Sequence, residues 1–335
     1  MRRWLPLAIL GAIVALVPLP LGESYLFGFV VLVGIFAIAA IGVDLVLGYA
    51  GQITLGHAGF MAIGAYTTAV LTVRGVPSLA AFIAACVLTG VIAYLVGAPL
   101  MGVLTHFHVA IATLALGVLI YSFLLVGGDL TGGFTGIQGV PRLSLGGLEV
   151  NGDLGYYVVV WVVTLVLYVV ARNIGDSQVG RILRAIESDE LAAQTSGISV
   201  ARYKVRVFVL SAVYASIAGS LLAHYMRYVS PTQVDILTSF DLVTMTILGG
   251  KGTVLGGILG AAFLKLLPQF TEFFKDYRVL VNGLIVLTVL LFFPRGIVGG
   301  IELLATLPRR ALSLLRRAGA REPGAAVAGI VEEQE

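Results

Sequence analysis

The amino-acid sequence predicts an all-α fold, a polytopic transmembrane helical bundle, and three observations lead to this class. Hydrophobic residues make up 59% of the chain and charged residues only 12%, whereas soluble domains carry about 25% charged residues. Apolar runs long enough for one helix to cross a bilayer, roughly 20 residues each, recur along most of the sequence. Runs such as 156–170 are apolar on every face, whereas the strands of a transmembrane barrel would alternate in polarity.

The apolar runs divide the chain into about ten crossing helices. Residues 1–21 contain two arginines and an apolar stretch, as a signal peptide would. No cleavage site of the small-x-small type follows, so we interpret this stretch as the first membrane helix. We predict helices near 5–21, 25–47, 57–73, 78–98, 107–127, 155–172, 206–225, 239–250, 253–269 and 279–293. Because 239–250 is short, eight helices with a re-entrant pair is the alternative.

Positive charge predicts the orientation of the bundle. Lys and Arg residues concentrate in the segments 2–3, 172–206 and 295–321, and such clusters face the cytoplasm. Six crossings between the first two clusters and four between the last two satisfy this rule, so both termini are predicted to be cytoplasmic. The glycine-rich loop 128–155 then lies outside. We assign 1–306 to one membrane domain and expect 307–335 to be a mobile cytoplasmic tail.

The segment 173–205 is a long polar insertion between the sixth and seventh predicted helices. Its apolar residues recur at helical spacing; they are Val179, Ile182, Leu183 and Ile186. Ser188 or Asp189 is a suitable N-cap for a second short helix, and Gly197 suits its C′ position. The pair is either an interfacial hairpin on lipid or an element that docks on a cytoplasmic partner and transmits its motion.

The segment 48–56 interrupts an apolar run with glycines and polar side chains. A broken helix exposes backbone groups that can meet a zwitterionic solute, although a tight cytoplasmic turn is the alternative. The residues selected as a candidate pathway are Asp44, Gly51, Gln52, Thr54, Gly56 and His57. We interpret His57 as a hydrogen-bonded packing residue rather than a proton carrier, since no carboxylate lies at helical spacing from it.

Three charged residues fall within or beside predicted helices, where a charge costs about 2.5 to 3.5 kcal/mol at the bilayer centre. Asp44 lies near a helix end and can snorkel. Asp241 opens the short eighth segment and can cap it. Lys265 can pair with an acidic residue. For each of the three, a substrate or gating role is the alternative.

Several kinds of site are absent from the sequence. Cys86 is the only cysteine, which excludes a disulfide framework. His106, His108 and His224 have no second ligand at helical spacing, so we predict no metal site. The stretch 249–253 lacks the Ser or Thr that must follow the lysine of a P-loop. No GxGxxG, HExxH or GxSxG motif occurs either.

Glycines recur every four residues at the start of the ninth predicted helix, in a pattern typical of close helix packing. These are Gly252, Gly256 and Gly260. We expect them to pack within the subunit or against a second subunit.

Several segments of the sequence resemble a known family. The sequence 192–197 is similar to the AAxxxG core of the coupling loop in bacterial ABC importer permeases, although Leu191 stands where that family has glutamate, next to Glu190. The segments 46–67, 184–213, 246–263 and 291–297 resemble permeases of branched-chain amino acids of the LivH and LivM type. The external segment 131–142 resembles the LivM member in particular.

This resemblance implies a permease subunit of an ATP-binding-cassette importer for branched-chain or other neutral amino acids in the bacterial inner membrane. It implies a homologous second permease, two ATPases that carry ATP and Mg, and a periplasmic or lipid-anchored substrate-binding protein. The chain itself is expected to bind lipid but no cofactor or nucleic acid, and not to be an enzyme. The implied ATPase-coupling residues are Gly180, Arg181, Arg184, Ala185, Glu187, Asp189, Glu190, Ala192, Ala193 and Gly197.

Other functions remain open from the sequence. Related permeases carry urea or short amides, and the apolar residues do not distinguish these solutes. An ion-coupled secondary transporter would need paired acidic residues at mid-membrane depth and often an internal repeat. A membrane-embedded enzyme would need a cluster of nucleophile, base or metal ligands.

Overall fold

A computed structural model describes residues 10–12, 14, 16, 25–103, 106–145, 148–150, 152–270, 277–292 and 296–300. The described residues form a helical membrane protein with four very short strands. The longer helices are α1 (Tyr25–Leu47), α2 (His57–Val73), α3 (Ser78–Val103), α4 (His106–Val126), α5 (Gly152–Asp176), α8 (Val200–Met226), α9 (Ile236–Gly250), α10 (Val254–Phe270) and α11 (Arg278–Phe292). Two short helices, α6 (Gln178–Ser188) and α7 (Glu190–Thr195), connect α5 to α8.

Helix α1 is the centre of the bundle. Every residue from 31 to 47 except Leu32 is buried, and α5, α8, α9 and α10 pack around it. A helix that is apolar on all faces is stable only in such a position. Gly42 permits the approach of α8, because a Cβ atom there would lie 2.7 Å from Cβ of Tyr214. The hydroxyl of Ser211 on α8 then donates to the Gly42 carbonyl at 2.6 Å.

Helix α8 packs against α2 and α3 as well as α1. A Cβ atom at Gly219 would collide with the carbonyl oxygen of Met61 on α2. Hydroxyl groups join the same helices, because Thr68 Oγ1 donates to Ser220 Oγ at 2.8 Å. Small residues and interhelical hydroxyl bonds are what hold helices together in a bilayer, where burial of apolar surface gives little driving force.

Helices α9 and α10 form a hairpin with axes bent by 117° at the break 251–253. Gly256 and Gly260 bring the two helices together, and a Cβ atom at Gly260 would collide with the Met245 carbonyl. The sequence predicted that Gly252 lies on the packing face of the helix with Gly256 and Gly260. Gly252 lies instead in the break, with φ +76. Gly257 supplies the approach to α1, where a Cβ atom would lie 3.0 Å from the Ile41 nitrogen.

Helices α3 and α4 present wide apolar surfaces on the outside of the bundle. Neither contains an Asp, Glu, Lys or Arg residue. The exposed large side chains of α3 are Leu79, Ile83, Val87, Leu88, Val91, Tyr94 and Leu95. Such uncharged faces suit contact with lipid.

The loop 128–155, expected only to be external and rich in glycine, carries short strands. Strand β1 (Ile137–Gln138) pairs antiparallel with β4 (Tyr228–Val229), which follows α8. Strand β2 (Ser144–Leu145) pairs with β3 (Leu148–Glu149). These strands lie at the end of the bundle opposite α6 and α7.

Nine of the predicted helices occur in the structure within a few residues of their expected bounds. Helix α8 differs most, since it begins at Val200 rather than near 206. Of the described helices, α3, α4, α5 and α8 and residues 27–47 of α1 are each long and apolar enough to cross a membrane. The α9–α10 pair passes that test only as a bent unit, so the count of ten stays a prediction. The helix predicted at 5–21 falls almost wholly outside the described residues, and the tail 307–335 falls entirely outside them.

Candidate functional site

Both helices of the pair α6–α7 are capped, and the caps of α7 are those that the sequence predicts. Ser177 caps α6 and accepts from the Gly180 nitrogen at 3.4 Å. Asp189 caps α7 and accepts from the Leu191 and Ala192 nitrogens at 2.9 and 3.0 Å. Gly197 has φ +83 directly after α7, which confirms its predicted place beyond the helix end.

Contacts fix α7 against the bundle. Ala193, Ile186 and Val200 form a small buried cluster. The Glu190 carboxylate lies 2.7 Å from Nζ of Lys204, whose side chain is only 2% exposed, and 3.3 Å from Nε2 of His106. This ion pair explains why α8 begins early, because the helix carries Lys204 to its acidic partner.

Helix α6 rests on the loop that follows α1. A Cβ atom at Gly51, which has φ +65, would lie 2.7 Å from Cγ of Glu187. The guanidinium of Arg184 lies 5.4 Å from the ring centroid of Tyr49. The same guanidinium donates to the Gly175 carbonyl at 2.6 Å. The loop, the end of α5 and α6 are therefore in direct contact.

The break between α9 and α10 joins the same site. Lys251 Nζ lies 2.9 Å from Oε1 of Glu187 on α6. The neighbouring Gly252 nitrogen donates to Oδ1 of Asp44 on α1 at 2.7 Å. Asp44 is 1% exposed, so it does not reach solvent at the helix end as the sequence allowed. Its carboxylate fixes the break instead.

The second half of the loop is also buried. His57 is 1% exposed, and its Nδ1 and Nε2 atoms lie 3.0 Å from Thr54 Oγ1 and 2.5 Å from Ser211 Oγ. Gly56 packs on the backbone of Thr113, because a Cβ atom at Gly56 would lie 2.5 Å from the Thr113 carbonyl oxygen. The side chain of Gln52 is buried, and neither its Oε1 nor its Nε2 atom has a hydrogen-bond partner among the described residues.

The ATPase-coupling residues predicted from the sequence differ in exposure. Most are exposed, namely Arg181, Arg184, Ala185, Glu187, Asp189, Ala192 and Gly197. Gly180 and Ala193 are buried and pack within the site, whereas Glu190 is half-buried beside Lys204. Leu191, which the sequence did not single out, is 70% exposed in the first turn of α7.

The isolated charges of α9 and α10 form a pair. Lys265 Nζ lies 3.9 Å from Asp241 Oδ2, which confirms the acidic partner expected for Lys265. Asp241 does not cap α9, because the helix begins earlier and Asp235 accepts from the Thr238 nitrogen at 2.9 Å. Within the described part of the chain, no three His, Cys, Asp or Glu residues are placed to hold a metal ion.

The described contacts join several elements of the bundle to the helix pair α6–α7. One exposed helix pair contacts the end of α5, the loop after α1 and the break of the α9–α10 hairpin. Packed elements that are joined in this way move together when one of them is displaced.

Comparison with known proteins identifies related permeases. Residues 25–292 match the family described as the permease component of branched-chain amino acid transport systems. The chain is 29% identical over 288 residues to the high-affinity branched-chain amino acid permease protein LivM of Salmonella typhimurium, covering 78% of this chain and 67% of LivM.

Two further relatives are similar over nearly their whole length. The LivH permease protein of Escherichia coli is 26% identical over 82% of this chain and 94% of its own. The BraD permease protein of Pseudomonas aeruginosa is 28% identical over 79% of this chain and 91% of its own length. No solved structure matches the chain. Because the family match spans most of its length, this multi-pass membrane protein belongs to the permease components of branched-chain amino acid transport systems.

Proposed function

We propose that this chain forms one half of the translocation pathway of an ATP-driven importer and receives the motion of a partner ATPase through α6 and α7. The observation that carries the coupling role is the Glu187–Lys251 ion pair of 2.9 Å, which ties the exposed helix pair to the α9–α10 hairpin. A displacement of α6 therefore acts directly on a hairpin that is packed against the central helix α1.

Leu191 is the proposed anchor on the ATPase side. It is a large apolar side chain, 70% exposed, in a polar and charged surrounding. A partner that covers this side chain would remove its apolar surface from water, which favours docking. A groove of about 360 Å³ lies beside it, between the end of α3, α7 and the start of α8, and is lined by Glu190, Gln194 and Arg202 among others.

The remaining assignments follow from the family and the charge pattern. The proposed partners are a homologous second permease, two ATPases that bind ATP and Mg, and a substrate-binding protein on the side of the short strands. We place the chain in the bacterial inner membrane with ten crossings and both termini cytoplasmic, 1–306 as the permease domain and 307–335 as a tail. The chain contributes no cofactor site and no catalytic residue.

The proposed substrates are leucine, isoleucine and valine, as the names of the relatives suggest. Urea and short amides lack a branched apolar side chain and serve as negative substrates in the experiment below.

The test is uptake by the complete transporter, reconstituted in proteoliposomes with its second permease, ATPases and binding protein. We expect leucine uptake that requires ATP. Leu191→Asp should reduce both uptake and binding-protein-stimulated ATP hydrolysis by about tenfold or more, because it places a charge in the docking contact. Leu191→Met keeps the volume and polarity and should retain both. Uptake by this chain without ATPases would contradict the proposal in favour of a secondary carrier.

A further inference from the structure

The outer face of α9 is apolar and carries a charged pair at its edge. Leu237, Phe240 and Ile247 recur at helical spacing and are 70%, 45% and 42% exposed. The Asp241–Lys265 pair lies at the edge of this face, with side chains 51% and 24% exposed. The pair therefore contacts whatever covers the face.

The pair lies far from the break between α9 and α10, measured along the two helices. Asp241 precedes Gly250 by nine residues of α9, or about 14 Å of helix. Lys265 follows Val254 by eleven residues of α10, or about 16 Å. Both distances from the break are about half the thickness of a hydrocarbon core of about 30 Å.

Lipid is a poor neighbour for such a pair, since a charged group at that depth is costly unless protein or water surrounds it. The lipid-suited faces of α3 and α4 illustrate the difference, because they carry no Asp, Glu, Lys or Arg residue. In a permease that forms half of a pathway, the face of α9 is then directed at the pathway rather than at the bilayer.

The pair retains capacity for a ligand. Its 3.9 Å separation is at the outer limit of an ion pair, and a direct charged hydrogen bond would be closer to 2.8 Å. Lys265 Nζ also lies 3.6 Å from the ring centroid of Phe36 on α1, which holds the ammonium in place without using its three donors. The carboxylate likewise has acceptor sites left.

We infer that Asp241 and Lys265 bind the two charged ends of an amino acid during its passage, with Asp241 taking the ammonium and Lys265 the carboxylate. A zwitterion exchanges one long ion pair for two closer ones, and Leu237 and Phe240 supply apolar surface for a branched side chain. The inference rests on the proposed function and adds the residues that bind the charged groups of the substrate.

The test measures leucine transported per ATP hydrolysed by the complete transporter in proteoliposomes. Asp241→Asn and Lys265→Gln should each lower this ratio by about tenfold, since each removes a charged hydrogen bond to the substrate. Stimulation of ATP hydrolysis by the loaded binding protein should persist, because the coupling site is untouched. Lys265→Arg keeps a positive charge over Phe36 and should retain most transport.

Asp235→Asn is the matched control, because asparagine preserves the N-cap of α9 while removing a carboxylate from the same helix. The exchange Asp241→Lys with Lys265→Asp restores a structural ion pair but reverses the two binding groups. We expect it to leave transport low. Restored transport by the exchange, or unchanged transport in the single variants, would overturn the inference alone, whereas a wild-type complex without leucine uptake would overturn the proposed function as well.

Discussion

Lys251 Nζ lies 2.9 Å from Oε1 of Glu187, although 64 positions separate the two residues in the sequence. The pair joins the short helix α6 to the break between α9 and α10. Its side chains are 43% and 35% exposed, and ion pairs with this exposure contribute about 0 to 1 kcal/mol to stability. Its importance in the site is therefore positional.

Loss of this pair should uncouple transport without unfolding the protein. We expect Glu187→Gln to reduce leucine uptake per ATP several-fold in the reconstituted transporter, because α6 then moves without the hairpin. The melting temperature of the purified complex should change little, in keeping with the exposure of the pair.

The reversed pair provides the control for that experiment. Glu187→Lys combined with Lys251→Glu should recover coupling if the contact is what matters, whereas each single change should not. Full coupling in Glu187→Gln would show that α6 acts on the hairpin by another route.

The Glu190–Lys204 pair should behave in the opposite way, because Lys204 is almost fully buried. Glu190→Gln leaves a buried ammonium without its carboxylate, and breaking such a pair costs about 3 to 5 kcal/mol, with the lower end fitting a partly exposed glutamate. We expect a clear fall in thermal stability in detergent. Lys204→Met, which removes the charge and keeps the apolar stem, should be less destabilising, and equal losses would argue against this account.

The glycine contacts predict that substitutions at two positions in neighbouring helices differ in their effect on folding. Gly260→Leu would drive a side chain into the Met245 carbonyl and separate α9 from α10. We expect loss of folded protein in a fluorescence-detected chromatography assay. Gly283 on α11 has open space around a Cβ atom among the described residues, so Gly283→Ala should be neutral or slightly stabilising, by up to about 1 kcal/mol. Comparable folding of the two variants would contradict the packing role of Gly260.

Local signals in the sequence were sufficient to predict local structure. The bounds of α1 and α2 agree with their apolar runs, and the Asp189 cap and the Gly197 helix end follow from residue type and spacing alone. These features depend on neighbours a few positions away.

Features that depend on tertiary contacts were not predictable. Nothing near Glu187 in the sequence identifies Lys251 as its partner, and nothing near Ala193 shows that Ile186 and Val200 bury it. Asp241 was a candidate cap for a helix that in fact begins at Ile236, because Thr238 and Ser239 interrupt the apolar run in its first turn. Periodicity places a residue on a face, and only packing decides what that face meets.

Gln52 offers the last prediction, since its side chain is buried with neither amide atom partnered among the described residues. A buried amide without partners costs about 1 to 3 kcal/mol, so Gln52→Met should raise the thermal stability of the complex. An unsatisfied polar group that persists in a native site calls for a functional reason, and we expect the same variant to lower leucine uptake by about tenfold. Gln138→Met, at an exposed position on β1, should alter neither property. Higher stability with unchanged uptake would make Gln52 a packing residue and remove it from the candidate pathway.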